Sequence, residues 1–367
     1  MASELLFARF KPSNLEPRNS IGAKWERLLN HLDLAKVVAG RRTAIKMHLG
    51  GGHGFTTIHP LFVRKLVKKI KAAGAREVFI TDSPGAVINA IDRGYTSEVV
   101  GCAIISNTGT ADRYVYRHDI TPPHLSLDHI ELAGEIVDAD ALIDLSHVKA
   151  HGACGFGGAS KNLSMGAVDG PTRERLHALE GGLTWEREKC NQCRACVDNC
   201  DTGAISLSDS GEWSVFYHHC RFCQHCVLIC PEHAISLAGG AYDDFQRGMA
   251  LTTNEVLKTF APQYILFINF LTDITIFCDC WGMTTPRLVP DIGILAGQDI
   301  VAIEQATLDL VRSEDLIPGA LPEHIKLAAE TGAHLFERIH GKNPYVIVEQ
   351  LEKLNQGSHE YKIKEID

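Results

Sequence analysis

The chain contains 367 residues, of which 36 are Lys or Arg and 45 are Asp or Glu, giving a net charge of −9, and 45% are apolar. This length and composition predict one large folded domain or two ordinary ones and exclude a disordered chain. The acidic balance disfavours nucleic-acid binding, since a phosphate-binding surface needs an excess of Lys and Arg. Twelve cysteines are the unusual feature, and most of them fall between residues 190 and 230, which indicates metal ligation rather than disulfides.

The sequence predicts neither a membrane span nor a secretory signal. Residues 1–11 lack an apolar core followed by a cleavage site. The most apolar segment, residues 264–277, contains Asn269, Thr272 and Asp273 and is shorter than the roughly 20 residues that cross a bilayer. We interpret this segment as a buried pair of strands and expect a cytoplasmic protein with no membrane partner.

Alternating strand and helix patterns predict an α/β domain with a mostly parallel sheet. A strand over residues 44–49 runs into a glycine-rich turn, a helix begins at Pro60, and a second strand covers residues 77–81. Strands joined through a helix pair in parallel. Further elements are predicted as strands at 141–145 and 291–295, a helix at 299–311, and a helical stretch at 323–355 before a polar tail.

A different pattern interrupts this domain at residues 184–240. Helical periodicity is lost there, and the tetrapeptide Ala-Ile-Ser-Leu occurs at 204–207 and again at 234–237, each time after a run of cysteines. Such a duplication predicts a small inserted α+β domain. The predicted organisation is therefore a first α/β part at 1–183, the insertion at 184–240, and a second α/β part at 241–367.

The two cysteine runs share one spacing, C-x2-C-x2-C-x3-C, and the second run ends in Pro231. Paired C-x2-C motifs also bind structural zinc, but zinc leaves the third and fourth cysteine of each run unexplained. The spacing is that of two-cluster bacterial ferredoxins, where the fourth cysteine of each run binds the other 4Fe–4S cluster. We predict one cluster on Cys190, Cys193, Cys196 and Cys230, and a second on Cys220, Cys223, Cys226 and Cys200. The insertion resembles these ferredoxins, except that Asp201 replaces a proline, and the resemblance implies an external one-electron donor or acceptor.

The most informative stretch of the α/β part is residues 144–162. If residues 145–151 are extended, His147, Lys149 and His151 project to the same face, since side chains alternate along a strand. Several glycines follow, which allow close backbone approach, and Lys161 comes after them. We predict that His147, Lys149, His151 and Lys161 are catalytic and bind an anionic small molecule or a metal-bearing cofactor. The alternative is a solvated glycine loop with two surface lysines.

Other polar residues predict an additional metal or bound cofactor in the α/β domain. Cys278 and Cys280 share a side of an extended chain, a spacing that allows metal chelation or a redox dithiol. His48 follows the first predicted strand, at the edge where parallel sheets bind ligands. The candidate ligands of this third site are Cys154, Cys278, Cys280 and His48. The alternative is that the cysteines are small apolar core residues.

Two resemblances extend these hypotheses. Residues 147–162, Cys278-Asp-Cys-Trp-Gly-Met and 289–293 resemble proteins of the domain of unknown function 362 that carry an inserted ferredoxin domain. That family name implies no reaction. The stretch from His151 to Lys161 is also similar to a loop of the nickel-pincer lactate racemases, in which the lysine tethers a nickel-bearing nucleotide and the histidine acts in catalysis. This similarity implies a related α/β architecture.

Three functions follow from the sequence. The first is an oxidoreductase in which two 4Fe–4S clusters relay electrons to the α/β site. The second is a pure electron-transfer protein whose α/β part is a docking domain. The third is a metal- or cofactor-handling protein in which Cys278 and Cys280 are exposed thiols.

Overall fold

The fold alternates strands and helices around one large sheet. The computed structural model describes residues 2–200, 202–217, 219–220, 224–323, 325, 327 and 333–366. The strands described there are β1 (Ser3–Arg9), β2 (Arg42–Met47), β3 (Glu77–Asp82), β4 (Ala103–Ser106), β5 (Val115–His124), β6 (Leu127–Ala133), β7 (Ala141–His147), β8 (Lys149–His151), β9 (Gly155–Gly157), β10 (Gly182–Trp185), β11 (Ile205–Leu207), β12 (Trp213–Val215), β13 (Ile235–Ala238), β14 (Ile265–Leu271), β15 (Gly293–Gly297) and β16 (Tyr361–Glu365).

The α-helices connect these strands and cover the sheet. Over the same described residues they are α1 (Ile21–His31), α2 (Leu34–Val38), α3 (Pro60–Ala72), α4 (Pro84–Asn89), α5 (Ser97–Val100), α6 (Gly134–Val137), α7 (Ala159–Gly166), α8 (Gly170–Ala178), α9 (Ala195–Asp198), α10 (His225–Ile229), α11 (Tyr242–Lys258), α12 (Ile300–Leu310), α13 (Leu335–His340) and α14 (Val346–Lys353). Among the described helices, none combines the length and the apolar character needed to cross a bilayer.

The central sheet has eight strands in the order β16-β1-β15-β14-β7-β2-β3-β4. Neighbouring strands pair in parallel, except that β15 is antiparallel to both β1 and β14. This arrangement confirms the predicted α/β fold class with a mostly parallel sheet. The antiparallel direction of β15 was not part of the prediction, because an apolar strand pattern carries no information on direction.

The strand order reverses between β2 and β7. From β2 the chain adds β3 and β4 on one side of the sheet, whereas β7 and β14 lie on the other side. In open α/β sheets, ligands bind at such a reversal, in the crevice outside the carboxyl ends of the strands. The carboxyl ends of β2, β3 and β7 therefore mark the edge at which a binding site is expected.

Alternating residues of the central strands enter two apolar cores, one on each face of the sheet. Ala44 of β2 belongs to the core that packs against α7, α11, α12 and α14. Its neighbour Ile45 belongs to the core that packs against α1, α2 and α3. Because both faces are covered, β2 and β7 are buried along nearly their whole length, which explains their continuous apolar runs.

Two parts of the chain differ from the sequence-based expectation. Residues 264–277 are predicted as a pair of strands, but they contain one strand, β14, followed by a largely buried loop. The pairing partners of β14 are β7 and β15, not another strand within the same segment. The described part of residues 323–355 contains two separate helices, α13 and α14. The polar tail forms β16, whose lysines suit the solvated edge of the sheet.

The cysteine-rich part forms small sheets of its own. β10 pairs antiparallel with β13, and β11 pairs antiparallel with β12. Ile205, Cys226 and Ile235 form a minor core between them. The two Ala-Ile-Ser-Leu repeats of the sequence supply β11 and β13, so the duplication in the sequence is also a duplication of local structure.

Truncating Phe270 tests the core on the α1 side of the sheet. The ring is buried and meets Trp25 and Phe62 edge-on, with ring centroids 5.3 and 5.4 Å apart. We expect Phe270→Ala to lower the free energy of unfolding by about 3–5 kcal/mol, since a cavity replaces the ring. Urea unfolding followed by circular dichroism measures this, with the same change at the exposed Phe55 as the control. Equal effects of the two substitutions would contradict the described packing.

Candidate functional site

A pocket of about 420 Å³ opens at the carboxyl ends of β2, β3 and β7. It lies at the point where the strand order reverses, which is the edge expected for a ligand site. Segments that lie far apart in the sequence meet there. The predicted residues that line this pocket are His48, His147, Lys149, His151, Lys161, Cys278 and Cys280.

A buried ion pair joins β2 to β3 in the wall of the pocket. The Lys46 ammonium donates hydrogen bonds to Asp82 Oδ1 at 3.0 Å and to Asn162 Oδ1 at 2.8 Å. Burial by itself raises the pKa of Asp82, but the Lys46 ammonium and a hydrogen bond from His48 hold that pKa well below its usual range. Asp82 is therefore a carboxylate, and it fixes His48 through a 3.3 Å contact with Nδ1.

Helix α7 positions Lys161 and Asn162, and a buried carboxylate holds its first turn. Glu304 of α12 accepts hydrogen bonds from the backbone N–H groups of Ala159 and Ser160, at 2.9 and 3.2 Å. A carboxylate at a helix N-terminus is stabilised by the helix dipole. A side chain at Gly158 would collide with Glu304, so the glycine before α7 is required by this close approach.

The segment from β7 to β8 presents three side chains to the pocket. His147 Nε2 lies 2.7 Å from the Thr272 carbonyl and donates to it, so Nδ1 accepts from the Lys149 ammonium at 3.3 Å. Burial and then the nearby Lys149 lower the pKa of His147 well below its usual value. The imidazole is therefore neutral. His151 Nδ1 accepts from the Ala153 N–H at 3.1 Å, which leaves the proton on Nε2.

The glycine-rich turn after β2 packs against the loop that carries Cys278 and Cys280. A Cβ atom at Gly54 would approach the Asp279 side chain to 3.0 Å, and one at Gly52 would approach Gly282 to 2.7 Å. Gly52 also has a positive φ of 46°, which favours glycine. Thr56 Oγ1 donates to Asp279 Oδ1 at 2.7 Å. These contacts explain why glycine is required at positions 52 and 54, and they fix the cysteine loop at the edge of the pocket.

Cys278 and Cys280 lie beside the cations of the pocket. Cys278 Sγ is buried 3.8 Å from Lys161 Nζ, whereas Cys280 is exposed and its Sγ lies 3.8 Å from His151 Nε2. A hydrogen bond from the Cys280 thiol, together with the Lys161 ammonium, lowers the pKa of Cys278 well below its usual value. Burial lowers the pKa of Lys161, but the neighbouring sulfur atoms raise it above its usual value overall. Cys278 and Lys161 therefore form a thiolate–ammonium pair.

Cys154 is the predicted residue that the structure does not bring to the pocket. It belongs to the buried core, and its thiol donates to the Phe156 carbonyl at 3.1 Å. Burial raises the pKa of the Cys154 thiol to about 12, so it is a neutral core residue. In the part of the chain that the structure describes, no three His, Cys, Asp or Glu side chains are grouped so as to hold one metal ion.

The cysteines of the two runs surround two small cavities. Cys190, Cys193 and Cys196 line the first cavity together with Cys230 from the second run. Cys220 and Cys226 line the second cavity together with Cys200 from the first run, while Cys223 lies outside the described residues. The fourth cysteine of each run therefore stands with the other run. This donor set fits two clusters that exchange their fourth ligands.

The surroundings of the fourth cysteines repeat as well. The backbone N–H of Ala204 donates to Cys200 Sγ, and that of Ala234 donates to Cys230 Sγ, both at 3.3 Å. Hydrogen bonds to cluster sulfur atoms are one of the factors that set the reduction potential of such a cluster. The alanine that begins each Ala-Ile-Ser-Leu repeat thus donates the same hydrogen bond in both halves.

Residues 43–309 match the family described as "Domain of unknown function (DUF362)". The matched range contains the cysteine runs and nearly all of the pocket segments. The chain belongs to the DUF362 family. This finding confirms the resemblance seen in residues 147–162 and in the segment that begins at Cys278, and the family description names no reaction.

Known proteins match part of this DUF362 chain. It is 35% identical over 51 residues to pyruvate synthase subunit PorD of Methanocaldococcus jannaschii, which covers 14% of the chain and 59% of PorD. It is 30% identical over 77 residues to a ferredoxin of Pyrobaculum islandicum, which covers 19% of the chain and 72% of the ferredoxin. These similarities support iron–sulfur electron transfer.

Among solved structures, the lactate racemase apoprotein of Thermoanaerobacterium thermosaccharolyticum matches with a TM-score of 0.38 and 11% identity. The match covers 74% of this chain and 51% of the racemase. No conclusion about the reaction follows from a similarity at this level, and the roles of Lys161 and His151 depend on the pocket itself.

Several residues of the site were not predicted from the sequence. Asp82 is an acidic residue at the carboxyl end of a predicted parallel strand, and this position in the sequence could have indicated a site residue. Glu304 directly follows the apolar run at 300–303 in a helical segment, which indicates a buried, paired carboxylate. Arg173 and His177 of α8 also line the pocket, and their position depends on the tertiary fold alone.

The neutral state of His147 predicts a pH dependence of stability. Its folded-state pKa lies below the unfolded value of about 6.5, so the unfolded chain binds the extra proton first as the pH falls. We expect the free energy of unfolding to fall by up to ~1.4 kcal/mol per pH unit below about pH 6.5 through this group. His147→Gln removes this contribution, and the same change at the exposed His31 retains it. Urea unfolding at several pH values measures both, and identical pH profiles of His147→Gln and wild type would contradict the prediction.

Proposed function

We propose that this protein is an iron–sulfur oxidoreductase in which two 4Fe–4S clusters relay electrons to an anionic small molecule or cofactor bound in the pocket of the α/β domain. The clusters supply one-electron transfer when bound. The observation that carries the proposal is the pocket itself, which gathers the predicted histidines and lysines at the reversal point of the sheet. A protein that only transferred electrons would not need such a pocket.

Charge supports an anionic ligand. Among the described residues of the lining, the single carboxylate is Asp82, and it is already occupied by Lys46 and His48. Lys149 contacts only a neutral imidazole among its hydrogen-bond partners in the described residues. A carboxylate or phosphate group would give Lys149 a charge-assisted hydrogen bond, which is about twice as strong as a neutral one.

The chain's own residues have distinct roles in this proposal. Lys149 neutralises the bound anion, and the Lys161 ammonium, although paired with Cys278, orients the anion through a further hydrogen bond. His151 carries its proton on Nε2, facing the pocket, and is therefore placed to donate a hydrogen bond to a ligand atom that gains electrons. His147 is held as a neutral base between Thr272 and Lys149, and it fixes the Lys149 ammonium.

Removal of the pocket cations tests the ligand site. We expect Lys161→Ala and His151→Ala to weaken binding of inorganic phosphate or oxalate about tenfold or more, since each loses a hydrogen bond to a charged group worth about 1.5–3 kcal/mol. Isothermal titration calorimetry measures the dissociation constants, with the exposed Lys258→Ala as the control. Binding of both anions at wild-type strength in both variants would refute an anion site at this position.

Single cysteine substitutions test the exchange of fourth ligands. Iron and sulfide analysis of anaerobically purified protein should give roughly eight irons per chain. Cys193→Ser and Cys230→Ser should alter the same cluster signal in electron paramagnetic resonance, although these residues belong to different runs. Cys226→Ser and Cys200→Ser should alter the other signal. Cys102→Ala, in the distant core, is the control. About two metal ions per chain without sulfide, as zinc would give, would refute the cluster assignment.

A further inference from the structure

We propose that Cys278 and Cys280 are a redox-active pair that alternates between a dithiol and a disulfide at the edge of the pocket, and that its electrons come from the cysteine-rich part through His219 and Phe277. This inference rests on the proposed function for the source of the electrons. It adds an acceptor within the protein itself.

The geometry of the cysteine loop suits an intramolecular disulfide. The loop makes a tight turn at Asp279–Trp281, in which the N–H of Cys280 donates to Cys278 Sγ at 3.4 Å. The Cys280 thiol hydrogen-bonds Cys278, so the two sulfur atoms that a disulfide would join are already adjacent. Asp279 between them is buried and held by Thr56, which fixes the turn with both sulfur atoms at the pocket.

Each sulfur atom has its own polar partner. Lys161 Nζ lies 3.8 Å from Cys278 Sγ, and His151 Nε2 lies 3.8 Å from Cys280 Sγ. Thiol–disulfide exchange requires one thiolate that a cation stabilises and an accessible second sulfur. Cys278 is buried beside the ammonium and Cys280 is exposed, so the pair has this asymmetry.

A short route joins this pair to the second cysteine cavity. The ring of Phe277, the residue before Cys278, stacks on the ring of His219 with centroids 5.6 Å apart and planes 23° apart. His219 precedes Cys220, which lines the second cavity. The Lys342 ammonium also donates to the Cys220 carbonyl at 2.5 Å. The cysteine-rich part thus contacts the pocket loop directly.

The proposed step balances. Reduction breaks the bond between Cys278 Sγ and Cys280 Sγ, consumes two electrons and one proton, and yields the Cys278 thiolate and the Cys280 thiol. The electrons arrive singly from iron–sulfur reductants, the proton reaches the exposed Cys280 from water, and the Lys161 ammonium stabilises the Cys278 thiolate. In the reverse direction, an external disulfide oxidant takes the two electrons, one proton from Cys280 and one proton from water, and is itself reduced to two thiols.

The surroundings of the pair favour a dithiol over the third metal site that the sequence predicts on Cys154, Cys278, Cys280 and His48. Cys154 is not beside the pair, because its thiol contacts the Phe156 carbonyl in the core. Cys278 is also hydrogen-bonded by His48. With the Lys161 ammonium beside it as well, its sulfur is a cation-stabilised thiolate of a redox pair rather than a ligand of a closed metal site.

The wild-type protein tests the disulfide directly. The anaerobic protein is oxidised with diamide, denatured, alkylated with iodoacetamide and digested. We expect the mass of the peptide that carries Cys278 and Cys280 to correspond to the loss of two hydrogens, with neither cysteine alkylated. Treatment with dithiothreitol should reverse both effects. Cys102, which is buried in another part of the fold, is the internal control and should be alkylated both with and without diamide treatment. Full alkylation of both cysteines after oxidation would overturn the proposal.

The route through Phe277 has its own test. The protein in its disulfide form is mixed anaerobically with substoichiometric dithionite in a stopped-flow spectrometer, and reoxidation of the reduced clusters by the disulfide is followed by absorbance. We expect Phe277→Leu to slow this reoxidation several-fold, while dithiothreitol reduces the disulfide as in wild type. Phe55→Leu, an exposed matched control, should leave both rates unchanged. An unchanged rate in Phe277→Leu would overturn the route.

Metal and iron analysis of the same samples separates the outcomes. A non-iron metal that is present in wild type and absent from Cys278→Ser and Cys280→Ser would overturn the dithiol in favour of a metal site. If the protein contains the clusters but does not form the disulfide, the redox pair is refuted and the proposed function is not. Absence of iron and sulfide would refute the proposed function, whereas the disulfide could still form with diamide.

Discussion

Burial of positive charge at the carboxyl ends of β2 and β7 is the constraint on which the pocket depends. An isolated ammonium group in a protein interior costs several kcal/mol, so it must find a partner or lose its charge. Lys46 is paired with the Asp82 carboxylate, and Lys161 lies beside the sulfur of Cys278. Lys149 instead meets a neutral imidazole. Two of the three lysines are thus neutralised within the protein, and the third leaves charge for a ligand.

The glycines of the site follow from the same requirement. Charged groups can pair in a dry interior only if the backbone allows them to approach. A side chain at Gly166 would collide with the Lys46 ammonium, and one at Gly158 would collide with the Glu304 carboxylate. Glycine at these positions therefore creates room for ions rather than flexibility of the chain. This accounts for glycine-rich segments in a site whose described side chains are largely fixed by hydrogen bonds.

Sequence reasoning succeeded where the information was local. The alternation that places His147, Lys149 and His151 on one side is a property of extended chain, and these residues do line one pocket. The sequence could not predict that β15 is antiparallel or that the C-terminal tail forms the strand β16. Strand pairing depends on partners that are distant in the sequence. Spacing alone also could not separate Cys154 from Cys278, since both follow apolar residues. Only the tertiary fold places one in the core and the other beside Lys161.

The number of redox centres connects the two parts of the chain. Under the proposed assignment each cluster carries one electron, and a disulfide between Cys278 and Cys280 accepts two. A single cluster would have to be reduced twice per turnover and would leave a half-reduced intermediate at the pocket in between. Two clusters in one small duplicated unit can hold both electrons at once. The stacking of His219 on Phe277 connects that unit to the pocket through the second cavity, so the first cluster would supply its electron by way of the second.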